Sequence, residues 1–226
     1  MDKDEGATMF VCLADRLVTA GFHVVRFSFR GHGTSGGASR GVTIAGECLD
    51  LQAAVEYTQN RFAGPLSVVA ASFGAVPTAL LLPWLAASLD RLVLWNPVLD
   101  LHHTFVEPEL AWGKQNFEPQ QRRRLAERGV LLVDGEFELG QVLFTEFEHY
   151  RPLDQFLQAD VPALIVHGDR DTAVSYRIAA ETARVRPVTE LVTIAGSDHG
   201  FDSEDRENEA ITTTVEWLTE QSTPGW

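Results

Sequence analysis

The chain has little cysteine, no long apolar run and a shortage of positive charge, and each scarcity closes off a class of function. Only Cys12 and Cys48 occur among 226 residues, too few for a disulfide framework and without a zinc spacing. Both fall in helical patterns, where they are expected to pack as small apolar side chains. No stretch approaches the about 18 apolar residues that a transmembrane helix needs. The opening Met1-Asp2-Lys3-Asp4-Glu5 is acidic and lacks the apolar centre of an export signal. A cytoplasmic location is expected for the chain as written. Lysine and arginine number 18 against 32 aspartates and glutamates, a net charge of -14. That field repels polyanions and argues against nucleic acid or an anionic membrane surface as a partner. Cofactor signals are equally thin. Gly31-His32-Gly33 superficially resembles a phosphate loop, but no G-x-G-x-x-G leads into a helix with a downstream acid, so no cofactor is expected. His102 and His103 are adjacent and do not face one site, so no metal is expected there.

What is present is a pattern of alternating strands and helices. With 45% hydrophobic residues the chain can bury a substantial core, and residues 1–226 are expected to form one domain. Apolar runs predict strands at His23–Phe29, Leu66–Ala71, Arg91–Trp95, Val161–Val166 and Thr189–Ile194. A helix ending near Gly21, another over Ala75–Ala87, and stripes at Ile44, Cys48, Leu51, Val55 and at Ile211, Val215, Leu218 alternate with them. This order predicts an α/β fold, a mostly parallel sheet with helices on both faces.

Residues 99–151 break the alternation and are expected to form a small cap insertion in a core of about 7–98 and 152–222. Within it, helices are predicted at Pro119–Arg128 and Gln141–His149. Asp134-Gly135 between apolar runs predicts a hairpin with a two-residue turn. The insertion either buttresses the core or walls a pocket, for which Phe105, Trp112, Phe117, Phe144 and Phe147 are available. The run Arg122-Arg123-Arg124 is expected to be a solvated helix face.

Ala70-Ala71-Ser72-Phe73-Gly74 joins a strand to a small-residue helix, a junction that lifts a serine hydroxyl above the sheet edge. Taken alone, Ser72 could equally cap the helix. A nucleophile needs a base and an orienting carboxylate, and both follow later strands. His167-Gly168-Asp169-Arg170-Asp171 follows Val161–Val166, and Ser197-Asp198-His199-Gly200 follows Thr189–Ile194. Ser72, Asp171 and His199 thus stand in the chain order of an α/β-hydrolase triad. The clustered Asp169, Asp171, Asp198 and Asp202 also suggest a cation site, which the triad reading of the same loops supersedes.

On these residues the chain resembles the α/β-hydrolase superfamily, in pattern that of bacterial cinnamoyl/feruloyl esterases and serine-aminopeptidase-like hydrolases. Phe27-Ser28-Phe29-Arg30-Gly31-His32-Gly33-Thr34-Ser35-Gly36 is similar to the family's F-D-x-R-G-H-G-x-S loop, with Ser28 where the family has Asp. The resemblance implies Ser72 as nucleophile, His199 as base and Asp171 as acid, with Asp169 ranked second and Asp100 third. His32 is expected to tie down its glycine loop, and His167 to brace the acid loop.

The resemblance also implies an H-G-type loop after a third strand, which supplies half of the oxyanion hole. Met1 to Ala7 is polar or small and cannot make a buried strand. The first three strands of the fold are therefore expected to be missing, with the Phe73 N–H as the surviving oxyanion donor and a truncated start as the explanation. Loss of one donor costs about two to three powers of ten in rate. The expected function is a serine hydrolase cleaving small carboxylic esters through an acyl-enzyme. Peptidase, thioesterase and acyltransferase activities share the triad. A hydrolase-fold protein without activity is the alternative from another class.

Overall fold

The computed structural model describes residues 5–220; Met1 to Asp4, the first part of the opening segment, and the last six residues lie outside them. Strands follow in chain order as β1 (Leu66–Ala71), β2 (Leu89–Trp95), β3 (Val130–Val133), β4 (Phe137–Gly140), β5 (Ala163–Gly168) and β6 (Thr189–Ile194). β1, β2, β5 and β6 form a parallel sheet in that order. β3 and β4 pair antiparallel in a separate hairpin. The helices are α1 (Glu5–Thr19), α2 (Ile44–Arg61), α3 (Ala75–Leu80), α4 (Leu82–Leu85) and α5 (Ala111–Asn116). They continue as α6 (Pro119–Arg128), α7 (Gln141–Glu146), α8 (Pro152–Gln158), α9 (Tyr176–Val185) and α10 (Glu204–Thr219).

Every residue of β5 is buried, as a strand covered on both faces requires. Alternate side chains serve opposite cores. Ala70, Leu92, Leu94, Ala163 and Ile165 meet Leu51 and Val55 of α2 and Ala79 of α3 on one face. Val93, Trp95, Leu164 and Val166 meet Leu13 of α1 and Ile211 of α10 on the other. Of the apolar stripes of α2 and α10, Ile44, Leu51, Val55, Ile211 and Leu218 are buried as their spacing predicts, while Cys48 and Val215 are partly buried.

Several expectations are corrected. His23–Phe29 forms no strand. A strand exists only against a hydrogen-bonding neighbour, and β1 pairs with β2 alone, so nothing among the described residues bridges this segment to the sheet. Its side chains still divide between the two cores: Phe22 and Val24 pack on the α1–α10 side and Phe29 on the α2–α3 side. The helix expected over Ala75–Ala87 divides at Leu81 into α3 and α4, because Pro83 has no N–H to continue the ladder.

The β3–β4 turn has three residues, Asp134, Gly135 and Glu136, with Val133 opposite Phe137. Asp134 and Gly135 take left-handed φ of 52° and 75°, and the Glu136 N–H donates to the Val133 carbonyl. α7 stops at Glu146 rather than His149. Cys12 is exposed rather than packed, Cys48 is partly buried, and both are free thiols. Arg123 is exposed as expected, but Arg122 is only partly exposed: it donates to the carbonyls of Phe117 and Val106 and lies over the Phe144 ring. It ties α6 to the preceding segment. No helix among the described residues is long and apolar enough to cross a membrane.

Candidate active site

Ser72 leaves β1 at a left-handed φ of 50°. A non-glycine residue there carries about 1–3 kcal/mol of strain and persists only when its surroundings hold it. The hold comes from two sides. A tight helical turn, Ser72–Gly74, leads directly into α3, and the Val98 N–H donates to the Ser72 carbonyl at 3.1 Å. The elbow raises the hydroxyl over the carboxyl ends of the strands, where Asp171 follows β5 and His199 follows β6.

The three side chains meet. Ser72 Oγ lies 3.0 Å from His199 Nε2, and His199 Nδ1 lies 2.8 Å from Asp171 Oδ2. A carboxylate only accepts, so Nδ1 bears the proton and Nε2 offers its lone pair to the serine hydroxyl. His167, fully buried, donates from Nε2 to the same Oδ2 at 3.1 Å, which is the bracing expected of it. Asp171 Oδ1 accepts the N–H groups of Ala173 and Val174 at 2.9 and 2.8 Å. Burial alone would push the Asp171 carboxyl up. The His167 and His199 hydrogen bonds, the His199 charge and the Val174 N–H outweigh it and hold the group well below the usual carboxylate range.

The other two acid candidates are engaged elsewhere. Asp169 Oδ1 accepts the Gly196 N–H at 2.6 Å, clasping the β5 loop to the histidine loop. Asp100 accepts the His103 N–H at 2.9 Å. Asp198 is also a clasp: it accepts the Thr172 N–H and hydroxyl and the His199 N–H.

Ser72, His199 and Asp198 border a cavity of about 390 Å³ that also exposes Phe73, Phe105, Trp112, Phe117, Phe137 and Phe147. Phe105, Trp112, Phe117 and Phe147 therefore reach it as the sequence suggests. Phe144 sits behind them, 6.0 Å from Phe117 and 5.9 Å from Phe147 between ring centroids.

Three contributors were missed by sequence reasoning. Phe201 is fully buried at φ 58° and packs edge-on to Trp95 at 5.5 Å, which anchors the loop carrying His199. Asp50 grips Arg30 through both its main chain and its guanidinium, fixing the loop where Ser28 replaces the family's Asp. Glu47 lines the cavity together with His32 while only 1% exposed. Burial first, then Asp50 and Glu146, push its carboxyl up to about 8, against a small opposing effect of Arg30. One signal was available for Glu47: it lies three residues after Ile44 and four before Leu51, a carboxylate on the apolar stripe of α2.

Comparison with known proteins follows the same geometry. The model of the serine aminopeptidase, S33, family matches residues 4–131, and that of the prolyl oligopeptidase family matches residues 134–224. No curated protein matches the sequence significantly. Among solved structures, Est1E from Butyrivibrio proteoclasticus with bound ferulic acid superposes at a TM-score of 0.79 with 23% identity, over 94% of this chain and 82% of that one. A putative hydrolase from Agrobacterium vitis S4 gives 0.74 and 21%, over 95% and 82%. A monoacylglycerol lipase from Paleococcus ferrophilus gives 0.68 and 16%, over 94% and 89%. At these identities the likeness is one of fold.

Proposed function

Since the chain belongs to the serine aminopeptidase, S33, family of α/β-hydrolases, we propose that it cleaves carboxylic esters of small acyl groups through an acyl-enzyme on Ser72. The observation that carries this reading is the continuous contact Ser72 Oγ to His199 Nε2 to Asp171, at 3.0 and 2.8 Å, with Ser72 and His199 on the wall of a largely apolar cavity. Ser72 Oγ attacks the ester carbonyl as its proton passes to His199 Nε2. The imidazolium, oriented by Asp171, then protonates the leaving alcohol. Water, deprotonated by the same nitrogen, releases the acid. The Phe73 N–H, next in chain after the nucleophile, is the backbone donor for the developing oxyanion.

Residues 99–151 act in this reading as a cap on a single domain, and their aromatic side chains receive the apolar part of the substrate. The ferulic acid of Est1E and the name of the Paleococcus lipase support ester chemistry for this fold. The family description favours a second reading, cleavage of a peptide or amide by the same serine.

The test is labelling by an active-site-directed fluorophosphonate, followed by rates on matched short esters and amino-acid anilides. Labelling lost in Ser72→Ala, with ester turnover exceeding anilide turnover, is the expected result. Undiminished labelling of the alanine variant overturns the assignment of Ser72, and faster anilide cleavage favours the peptidase reading.

A further inference from the structure

The acyl-enzyme chemistry leaves one polar group on the cavity wall without a task. Glu47, in the first turn of α2, is 1% exposed, and its Oε2 has no hydrogen-bond partner among the described residues. Its Oε1 stands 3.9 Å from His32 Nδ1, too far for a hydrogen bond, and that nitrogen faces the Arg30 carbonyl at 3.1 Å. The polar groups of Asp134, Asp198 and Thr104 on the wall are committed. Asp134 accepts from Trp112 Nε1 and Asn116 Nδ2. Asp198 accepts from Thr172 and His199, and the Thr104 hydroxyl donates to the Asp100 carbonyl. Buried polar atoms are almost always paired, and an orphan beside a ligand cavity points to a partner carried by the ligand.

We propose that Glu47 is a specificity residue, hydrogen-bonding an uncharged hydroxyl on the ester substrate. The inference rests on the esterase reading and deepens it by naming a feature of the substrate. Charge decides between a hydroxyl and an ammonium group. The Arg30 guanidinium is spent on Asp50 at 2.6 Å. Glu146 turns Oε2 to the Ile44 N–H at 2.6 Å, and Cys48 is a thiol pushed up to about 11 by burial and by Glu47 and Glu146. Among Asp50, Glu146, Arg30, His32 and Cys48, then, no unengaged cation offsets the acidic neighbours, so Glu47 holds its proton near neutrality. A protonated carboxyl both donates and accepts, as a hydroxyl does. A site built to bond a substrate hydroxyl discriminates strongly against the analogue that lacks it.

The experiment measures equilibrium binding by calorimetry to the full chain carrying Ser72→Ala, so that turnover is not required. Methyl esters of four- to six-carbon acids are compared in unsubstituted, ω-hydroxy and ω-amino forms. For the best-fitting length the hydroxy ester is expected to bind about tenfold more tightly than its unsubstituted partner. Adding Glu47→Leu brings that ratio to about one, and Glu47→Gln keeps most of it. A ratio unchanged by Glu47→Leu, a Glu47-dependent preference for the amino ester, or no binding of any hydroxy ester overturns the proposal. Should the leucine variant melt below the assay temperature, Glu47→Met carries the same arm. Fluorophosphonate labelling of Ser72 in the Glu47→Leu chain separates the two readings: labelling intact with the ratio unchanged removes the role of Glu47 alone.

Discussion

His167 and His199 meet on a single oxygen, Oδ2 of Asp171, at 3.1 and 2.8 Å. One histidine is fully buried and immobilises the carboxylate from below; the other carries its effect to Ser72. Because both must donate to the same acceptor, the carboxylate fixes the tautomer of each ring, and the His167 Nδ1 lone pair is left without a partner among the described residues.

Asp171→Asn is expected to lower kcat/KM by about ten-thousand-fold, because the amide no longer enforces the Nδ1–H tautomer of His199. Asp169→Asn removes only a loop clasp to the Gly196 N–H and should cost far less. Steady-state ester kinetics on both variants give the ranking; the reverse order would move the orienting acid to Asp169.

His167→Phe keeps a buried ring and removes one donor from Asp171. A loss of about tenfold in kcat is expected, equivalent to about 1.4 kcal/mol, with KM little changed. The variant should also unfold more readily in acid. The folded-state pKa of Asp171 lies below its unfolded value, so its stabilisation is present above the ordinary carboxylate range and is lost as pH falls through the folded value. With one donor gone, the acid unfolding midpoint should move to higher pH, as followed by circular dichroism.

For Glu47 the sign is opposite. Its folded pKa of about 8 exceeds the ordinary value of 4.5, so the unfolded chain releases the proton first as pH rises. Stability relative to acid conditions is therefore lost between about pH 4.5 and 8. Glu47→Gln cannot ionise, and its melting temperature should fall less across that window. Thermal melts at half-unit pH steps check this; parallel curves for the two proteins would refute it.

Backbone amides of His23–Phe29 have no sheet partner among the described residues, whereas β5 lies between two strands. Amide hydrogen exchange should be faster across residues 23–29 than in β2 and β5 by several orders of magnitude. Equal protection would mean that this segment is paired in solution.

Gly168→Ala is expected to disable the site without touching its reacting atoms. A Cβ at residue 168 would run into the Ser197 carbonyl, two residues before His199. The histidine loop must shift, so the fluorophosphonate labelling rate should fall by about tenfold or more while the sheet still melts cooperatively. An unchanged labelling rate would show that the loop yields at no cost to the geometry.

Much of the site was legible because its signals are local. Ser72, Asp171 and His199 each follow an apolar run, and a parallel sheet brings the carboxyl ends of its strands to one edge. Pro119 and Gly129 bracket α6 by the chemistry of helix ends. Where the outcome depended on a neighbour, the pattern misled. His23 to Phe29 has the composition of a strand but, among the described residues, no partner to pair with. Arg122 belongs to a basic run, yet the carbonyls of Phe117 and Val106 claim it.

Order along the chain, the helix period and the place of the Asp134-Gly135 turn, though not its length, were determined by the sequence itself, since each depends on residues a few positions apart. Tertiary structure alone decided which aspartate reaches His199, how Phe201 anchors its loop, and that Glu47 stands unpartnered beside the cavity. Those outcomes depend on distances between loops 28 to 127 residues apart. They depend too on burial, which sets the charge of a carboxyl by removing the water that would ionise it.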